Sequence, residues 1–381
     1  MEPATQCAHL QGAPPDPAHS DVPPAVPSSD GTAHAFPSPI GPAAVDEFGL
    51  LRLHEALRGA ESVDALRRHV ALMPRVFVSM TQAGVAAPTV MHEYTALCDA
   101  TVSRLVDLGI ERHGPPPVPF AWLAFGSAGR GEFSLFSDMD NGLAYDDTDD
   151  ASADDYFLRF AIDVNQGLQQ CGFTLDPHGV LATDPDWRMP ASRWISIFGD
   201  CLARWDDDSV MRAAIGFDVR RVAGDLDIVP HLREVIRRAP YYSRFLTGIA
   251  QLGAEIPSPL GFRRRLKGDI DLKGRGILPV QNLARYYACA GGIVPPSTLE
   301  RLAAVRDAGG RGSDVAESLR HAYETMAGLL ARHHADAFDV GSAPGAPVRS
   351  DALHPEERAQ LEAALRVVAS VQSSLPRRAS F

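Results

Sequence analysis

The feature that most constrains the fold is an apolar run that ends on a turn. Phe120-Ala121-Trp122-Leu123-Ala124-Phe125 carries no polar side chain and has the length of a strand, so it reads as a strand buried on both faces. Gly114-Pro115-Pro116-Pro117 separates it from the segment before, and Gly126-Ser127 ends it. Asp138–Tyr145 reads as a second strand and Ile215–Val222 as a third. Residues 153–171 and 191–205 have helical spacing, and a further helix follows through about Arg238. A few short strands interleaved with helices predict a small mixed sheet in an α+β core spanning 115–240.

The flanks differ in character. Residues 1–45 hold ten of the thirty prolines among Ser, Ala and Gly, too little apolar area to offset the entropy of ordering, which predicts a disordered tail. Residues 46–114 repeat apolar side chains at helical spacing (Phe48, Leu51, Leu53, Leu57, then Val63, Leu66, Val70), with Val90–Leu108 as a longer amphipathic stretch. Two or three helices are expected there. Residues 241–376 are mainly helical again, with helices expected over 241–254, 279–290, 297–308, 313–338 and 355–374.

Composition excludes several classes. The charge sum is 36 − 48 = −12, a poor match for general binding of nucleic acid or of an anionic membrane. No run approaches eighteen apolar residues, so no membrane span is expected. No lysine or arginine precedes Arg52, which argues against a secretory or mitochondrial leader and for a cytoplasmic protein. The five cysteines (Cys7, Cys98, Cys171, Cys201, Cys289) form no Cys-x-x-Cys pair, so neither a zinc knuckle nor a disulfide framework is expected.

The chemistry concentrates between Phe125 and Asn141. A buried strand delivers Gly126-Ser127, where a missing Cβ lets the backbone approach a bound group and successive N–H groups can face an anion. Arg130 is placed to add a charge-assisted contact to phosphate. Asp138 and Asp140 follow, two residues apart. In extended chain they share a face about 6.6 Å apart, close enough for their oxygens to converge on one or two Mg²⁺ ions. Metal removes the repulsion between such neighbours, and two metals about 3.5–4 Å apart serve to activate an attacking oxygen and to neutralise leaving pyrophosphate. The all-oxygen ligand set suits magnesium better than zinc. The acidic stretch Asp146–Asp155 reads as a solvated loop and helix start.

The sequence Gly126-Ser127-Ala128-Gly129-Arg130-Gly131-Glu132, followed by Asp138-Met139-Asp140-Asn141, resembles the core of the nucleotidyltransferase superfamily that includes DNA polymerase beta and the protein-PII uridylyltransferases. It resembles most closely a bacterial nucleotidyltransferase family often found beside CBS or cyclic-nucleotide-binding domains. Ile270-Asp271-Leu272-Lys273 with Gly276, Pro279 and Leu283-Ala284-Arg285 is similar to that family's C-terminal substrate-binding domain. Together the likeness covers roughly residues 50–375, without a CBS pair or cyclic-nucleotide barrel. The resemblance implies a polymerase-beta-like fold, an NTP donor, and transfer of an NMP group to a hydroxyl on a protein or small molecule, as in uridylylation of a PII-like signalling protein. It also implies a third metal-binding carboxylate. Asp218 is the candidate, as ligand and as base toward the acceptor, with Asp225 and Asp227 as rivals. Glu132 and Asn141 match the family motif, Glu132 as an orienter of Arg130 and Asn141 as support behind the metal. A nucleotide-binding regulatory module without catalysis is the alternative.

Only two of the basic residues are lysine, Lys267 and Lys273, both within the basic segment 263–275. That segment reads either as an anion-binding wall facing the nucleotide or as a solvated basic face paired with the acidic loop.

Overall fold

The computed structural model describes residues 47–204, 206–261, 265–266, 268–341 and 347–375. The Pro-rich tail, Lys267, Trp205 and most of the Gly/Pro/Ala linker lie outside the described residues.

Four helices precede the sheet: α1 (Glu47–Arg58), α2 (Val63–Val70), α3 (Met73–Gln82) and α4 (Ala87–His113). The start of α2 is capped by Ser62, whose hydroxyl accepts from Ala65 N at 3.2 Å. α4 stops at Gly114, whose φ of 82° lies in the left-handed region. The sheet has the order β3-β2-β1-β4, with β1 (Phe120–Ala124), β2 (Asn141–Tyr145), β3 (Arg188–Pro190) and β4 (Arg220–Gly224). β1 runs antiparallel to both neighbours, pairing Phe120 with Tyr145 and Ala124 with Asn141, while β2 and β3 are parallel.

β1 is an unbroken apolar run because both of its faces are covered. Helix α5 (Gly126–Arg130) follows β1, and α6 (Ser152–Gln170) and α7 (Ala191–Ala203) pack on the sheet. Phe120 and Trp122 meet Phe160 of α6 with ring centroids at 5.4 and 6.4 Å. Phe125 stacks on Trp194 of α7 at 5.7 Å, and the Trp194 indole N–H donates to Leu143 O at 3.1 Å. Trp122, Trp187 and Trp194 are all core residues. In the acidic stretch, Asp154 stays exposed as expected and also pairs with the buried guanidinium of Arg188 at 3.1 Å.

Helix α8 (Asp207–Gly216) occupies the start of the span expected to be a strand, so Ile215 and Gly216 are helical and β4 begins only at Arg220. α9 (Val229–Ile236) and α10 (Ser243–Ala254) follow. A two-stranded ribbon of β5 (Asp269–Ile270) and β6 (Val348–Arg349), with α11 (Leu278–Gly291), α12 (Thr298–Ala308), α13 (Ser313–Asp339) and α14 (Pro355–Ser374), completes the chain. α13 packs against α3 and α4 as well as α14, bringing the C-terminal helices over the Gly-Ser turn.

Candidate active site

The turn after β1 is shaped by contact with the second aspartate. Gly126 has φ +52°, and a Cβ added there would lie 1.9 Å from Asp140 Oδ2, so any larger residue would be strained and would displace that carboxylate. The Phe125 N–H donates to Asp140 O at 3.1 Å, fixing the aspartate beside the start of α5.

Asp138 and Asp140 sit just before β2 rather than within it. The alternation expected of a strand still holds, because Met139 bridges to Leu175 and is buried between them. Met139 N donates to Thr174 O at 2.8 Å and Asp176 N to Met139 O at 3.2 Å. This pairing brings in Asp176. The three carboxylates of Asp138, Asp140 and Asp176 offer oxygens within 4.8 Å of one another, a set able to hold a divalent cation. Asp176 is buried, and its Oδ2 accepts from Val180 N at 2.8 Å and His178 N at 3.0 Å. Burial, then the negative neighbours Asp138 and Asp176, push Asp140 up to about 7. Such a cluster holds its charge comfortably only with a cation, which is the fit expected of a metal site.

Asp218 is not part of this cluster. It is wholly buried in the turn between α8 and β4, and its oxygens accept from Arg130 Nη1 and Arg285 Nη2 at 2.6 Å and Arg301 Nη1 at 2.7 Å. Burial alone would raise its pKa, but the Arg285, Arg301 and Arg130 guanidinium groups hold the carboxyl well below the usual carboxylate range. A carboxylate held by three arginines has no lone pair facing the cleft and no basicity to offer an acceptor. The third carboxylate of the cluster is Asp176 rather than Asp218.

The other expected residues divide. Asn141 is buried behind the cluster, donating to Asn165 Oδ1 at 2.9 Å and accepting from Ala182 N at 2.9 Å, so it pins the loop that carries Asp176. Glu132 does orient Arg130, accepting from its Nε at 2.8 Å. Lys273 lies in a π-helical turn, Lys273–Ile277, with Nζ 3.8 Å from Asp138 Oδ1. Of the two readings of the basic segment, Lys273 thus faces the aspartates rather than the acidic loop.

These residues surround one cleft. Gly126, Ser127, Arg130, Asp138 and Asp140 form one wall, and Lys273, Gln281 and Tyr323 from the C-terminal helices form the other.

The family model Putative nucleotidyltransferase DUF294 matches residues 71–208, and Putative nucleotidyltransferase substrate binding domain matches residues 243–379. The chain belongs to this nucleotidyltransferase family. The cleft therefore lies between the matched transferase segment and the matched substrate-binding segment. Asp176 falls inside the first segment, whereas Asp218 falls between the two. No curated protein matches the chain.

Proposed function

We propose that the protein is a Mg²⁺-dependent nucleotidyltransferase that moves an NMP group from an NTP to a hydroxyl and releases pyrophosphate. The observation that carries this reading is the cluster of Asp138, Asp140 and Asp176, whose first two members line the cleft beside the Gly126-Ser127 turn and across from Lys273. The three carboxylates are the magnesium ligands. When bound, magnesium supplies charge neutralisation at the transferred phosphoryl group and activation of the attacking oxygen. Gly126 and Ser127 bring backbone close to the triphosphate. Arg130 and Lys273, the basic side chains that line the cleft among the described residues, balance its charge. Asn141 holds the Asp176 loop so that the third oxygen stays in place.

The acceptor is a protein or small-molecule hydroxyl, and the likeness to protein-PII uridylyltransferases favours a signalling protein. The acceptor enters from the side walled by the C-terminal helices, in keeping with the substrate-binding description of that segment. The test supplies each of the four NTPs with Mg²⁺ and host extract, and measures pyrophosphate and labelled product. One NTP should give product with the wild type and none with the Asp138→Ala/Asp140→Ala variant. Metal-dependent NTP binding without transfer to any acceptor would instead identify a regulatory nucleotide-binding module.

A further inference from the structure

The arginine cluster around Asp218 joins the transferase core to the C-terminal helices through one side chain of the cleft. Arg130 belongs to α5, Arg285 to α11 and Arg301 to α12, and all three meet on the carboxylate of Asp218. Arg301 also donates to Phe217 O at 3.1 Å. A second buried acid completes the junction. Glu132 accepts from Arg130 Nε at 2.8 Å, from Gln281 Nε2 at 2.9 Å and from Thr298 N at 2.8 Å, the last two again from the C-terminal helices. Three guanidinium groups thus face two carboxylates, leaving one positive charge in excess, and each arginine is at most 9% exposed.

Within this junction Arg130 alone among the three arginines lines the cleft. Its Nε and Nη1 are held by Glu132 and Asp218, which fixes the plane of the fork. The backbone is held too, since a Cβ on Gly129 would lie 1.9 Å from Asp218 O, so α5 rests directly on the Asp218 turn. An excess positive charge with one edge on a cleft favours an anion there once a cation offsets Asp138 and Asp140 on the same wall.

We propose that Asp218 is a positioning residue for the triphosphate. Clamped by Arg285 and Arg301, it holds Arg130 at the cleft wall, so that the anion site is complete only when the C-terminal helices are docked. The proposal rests on the nucleotidyl-transfer reading. It differs from a purely structural role in one respect: loss of Asp218 must weaken recognition of the triphosphate more than recognition of the rest of the nucleotide.

The experiment measures affinity for the preferred Mg·NTP and for the matching NMP on full-length protein by calorimetry, alongside thermal melts. Asp218→Asn leaves an excess of buried guanidinium groups and is expected to destabilise the fold severely. The charge-matched variant Asp218→Asn/Arg301→Met removes one charge of each sign and addresses that difficulty. Arg301→Lys, which keeps the charge but loses the fork, is a milder third variant. The charge-matched variant should keep the wild-type circular dichroism, lose about tenfold in NTP affinity and change less than twofold in NMP affinity. Arg301→Lys should show the same selectivity at about threefold. NTP and NMP affinities that fall together in these variants, or that both stay at wild-type values, overturn the proposal while leaving the transferase reading intact. Wild-type protein that binds no NTP in Mg²⁺ overturns both.

Discussion

Replacing Gly126 by alanine tests whether the Gly-Ser turn and the acidic cluster form one unit. The perturbation has two parts. A φ of +52° costs a residue with a Cβ about 1–2 kcal/mol. In a chain of 381 residues that shifts melting by only a few degrees, so the variant should stay folded. The second part is local. The new methyl would lie 1.9 Å from Asp140 Oδ2, and ordinary contact begins at 3.4 Å, so the carboxylate must retreat by 1.5 Å or swing away. A displacement of about 1 Å in a reacting constellation is worth on the order of 100-fold in rate. Gly126→Ala should therefore lose about 100-fold or more in kcat/KM and bind Mn²⁺ more weakly, while its melting temperature falls by a few degrees. Gly199→Ala in α7, where a Cβ meets no atom within 4 Å, is the matched control and should be neutral or slightly stabilising. Pyrophosphate release, metal titration and thermal melts on both variants decide the matter. A Gly126→Ala protein with wild-type metal affinity and turnover would refute the link between the turn and Asp140.

Three further outcomes are expected. Asp176→Asn should remove turnover by about 100-fold or more, yet should melt no lower in EDTA than the wild type, because it relieves repulsion with Asp138 and Asp140. The pH dependence of the metal-free protein has a defined sign. Asp140 titrates near 3.8 when unfolded and at about 7 when folded, so its contribution to stability is complete below pH 4 and is lost as pH rises through 7. Added Mg²⁺ should accordingly raise the melting temperature more at pH 8 than at pH 5; equal shifts at both would count against the assignment. Lys273→Ala, at a half-exposed position, should change stability by less than about 0.5 kcal/mol and raise the apparent KM for NTP by about tenfold, measured by initial rates at fixed ionic strength.

The sequence was informative where local chemistry decides structure and silent where distant contacts do. The apolar run of β1, the Gly-Ser turn and the paired aspartates were legible because each is set by neighbours a few residues away. Asp176 was not. It ends Phe173-Thr174-Leu175, a segment too short and too close to Pro177 to read as a strand, and it is placed by backbone pairing with Met139, far back in the chain. β3 escaped for the same reason: three residues that include Arg188 and Pro190 become a strand only by lying parallel to β2. Asp218 misled because an acid beside apparent strand residues suggests a ligand, whereas its three arginine partners are scattered from α5 to α12. Local spacing carries no information about charge partners that fold in from elsewhere.

The two glycines of α5 unite these observations. Gly126 gives way to the carboxylate of Asp140, and Gly129, one helical turn on, gives way to the backbone of Asp218. A five-residue helix is thereby pinched between the acidic cluster on one side and the arginine junction on the other. Residues at these two positions cannot be enlarged without moving one aspartate or the other. The run Gly-Ser-Ala-Gly-Arg thus specifies more than a backbone able to approach phosphate. It sets the separation between the carboxylate of Asp140 and the turn of Asp218 that holds the guanidinium of Arg130. The C-terminal helices and the acidic cluster thus bear on opposite sides of one short helix, through Asp218 and Asp140.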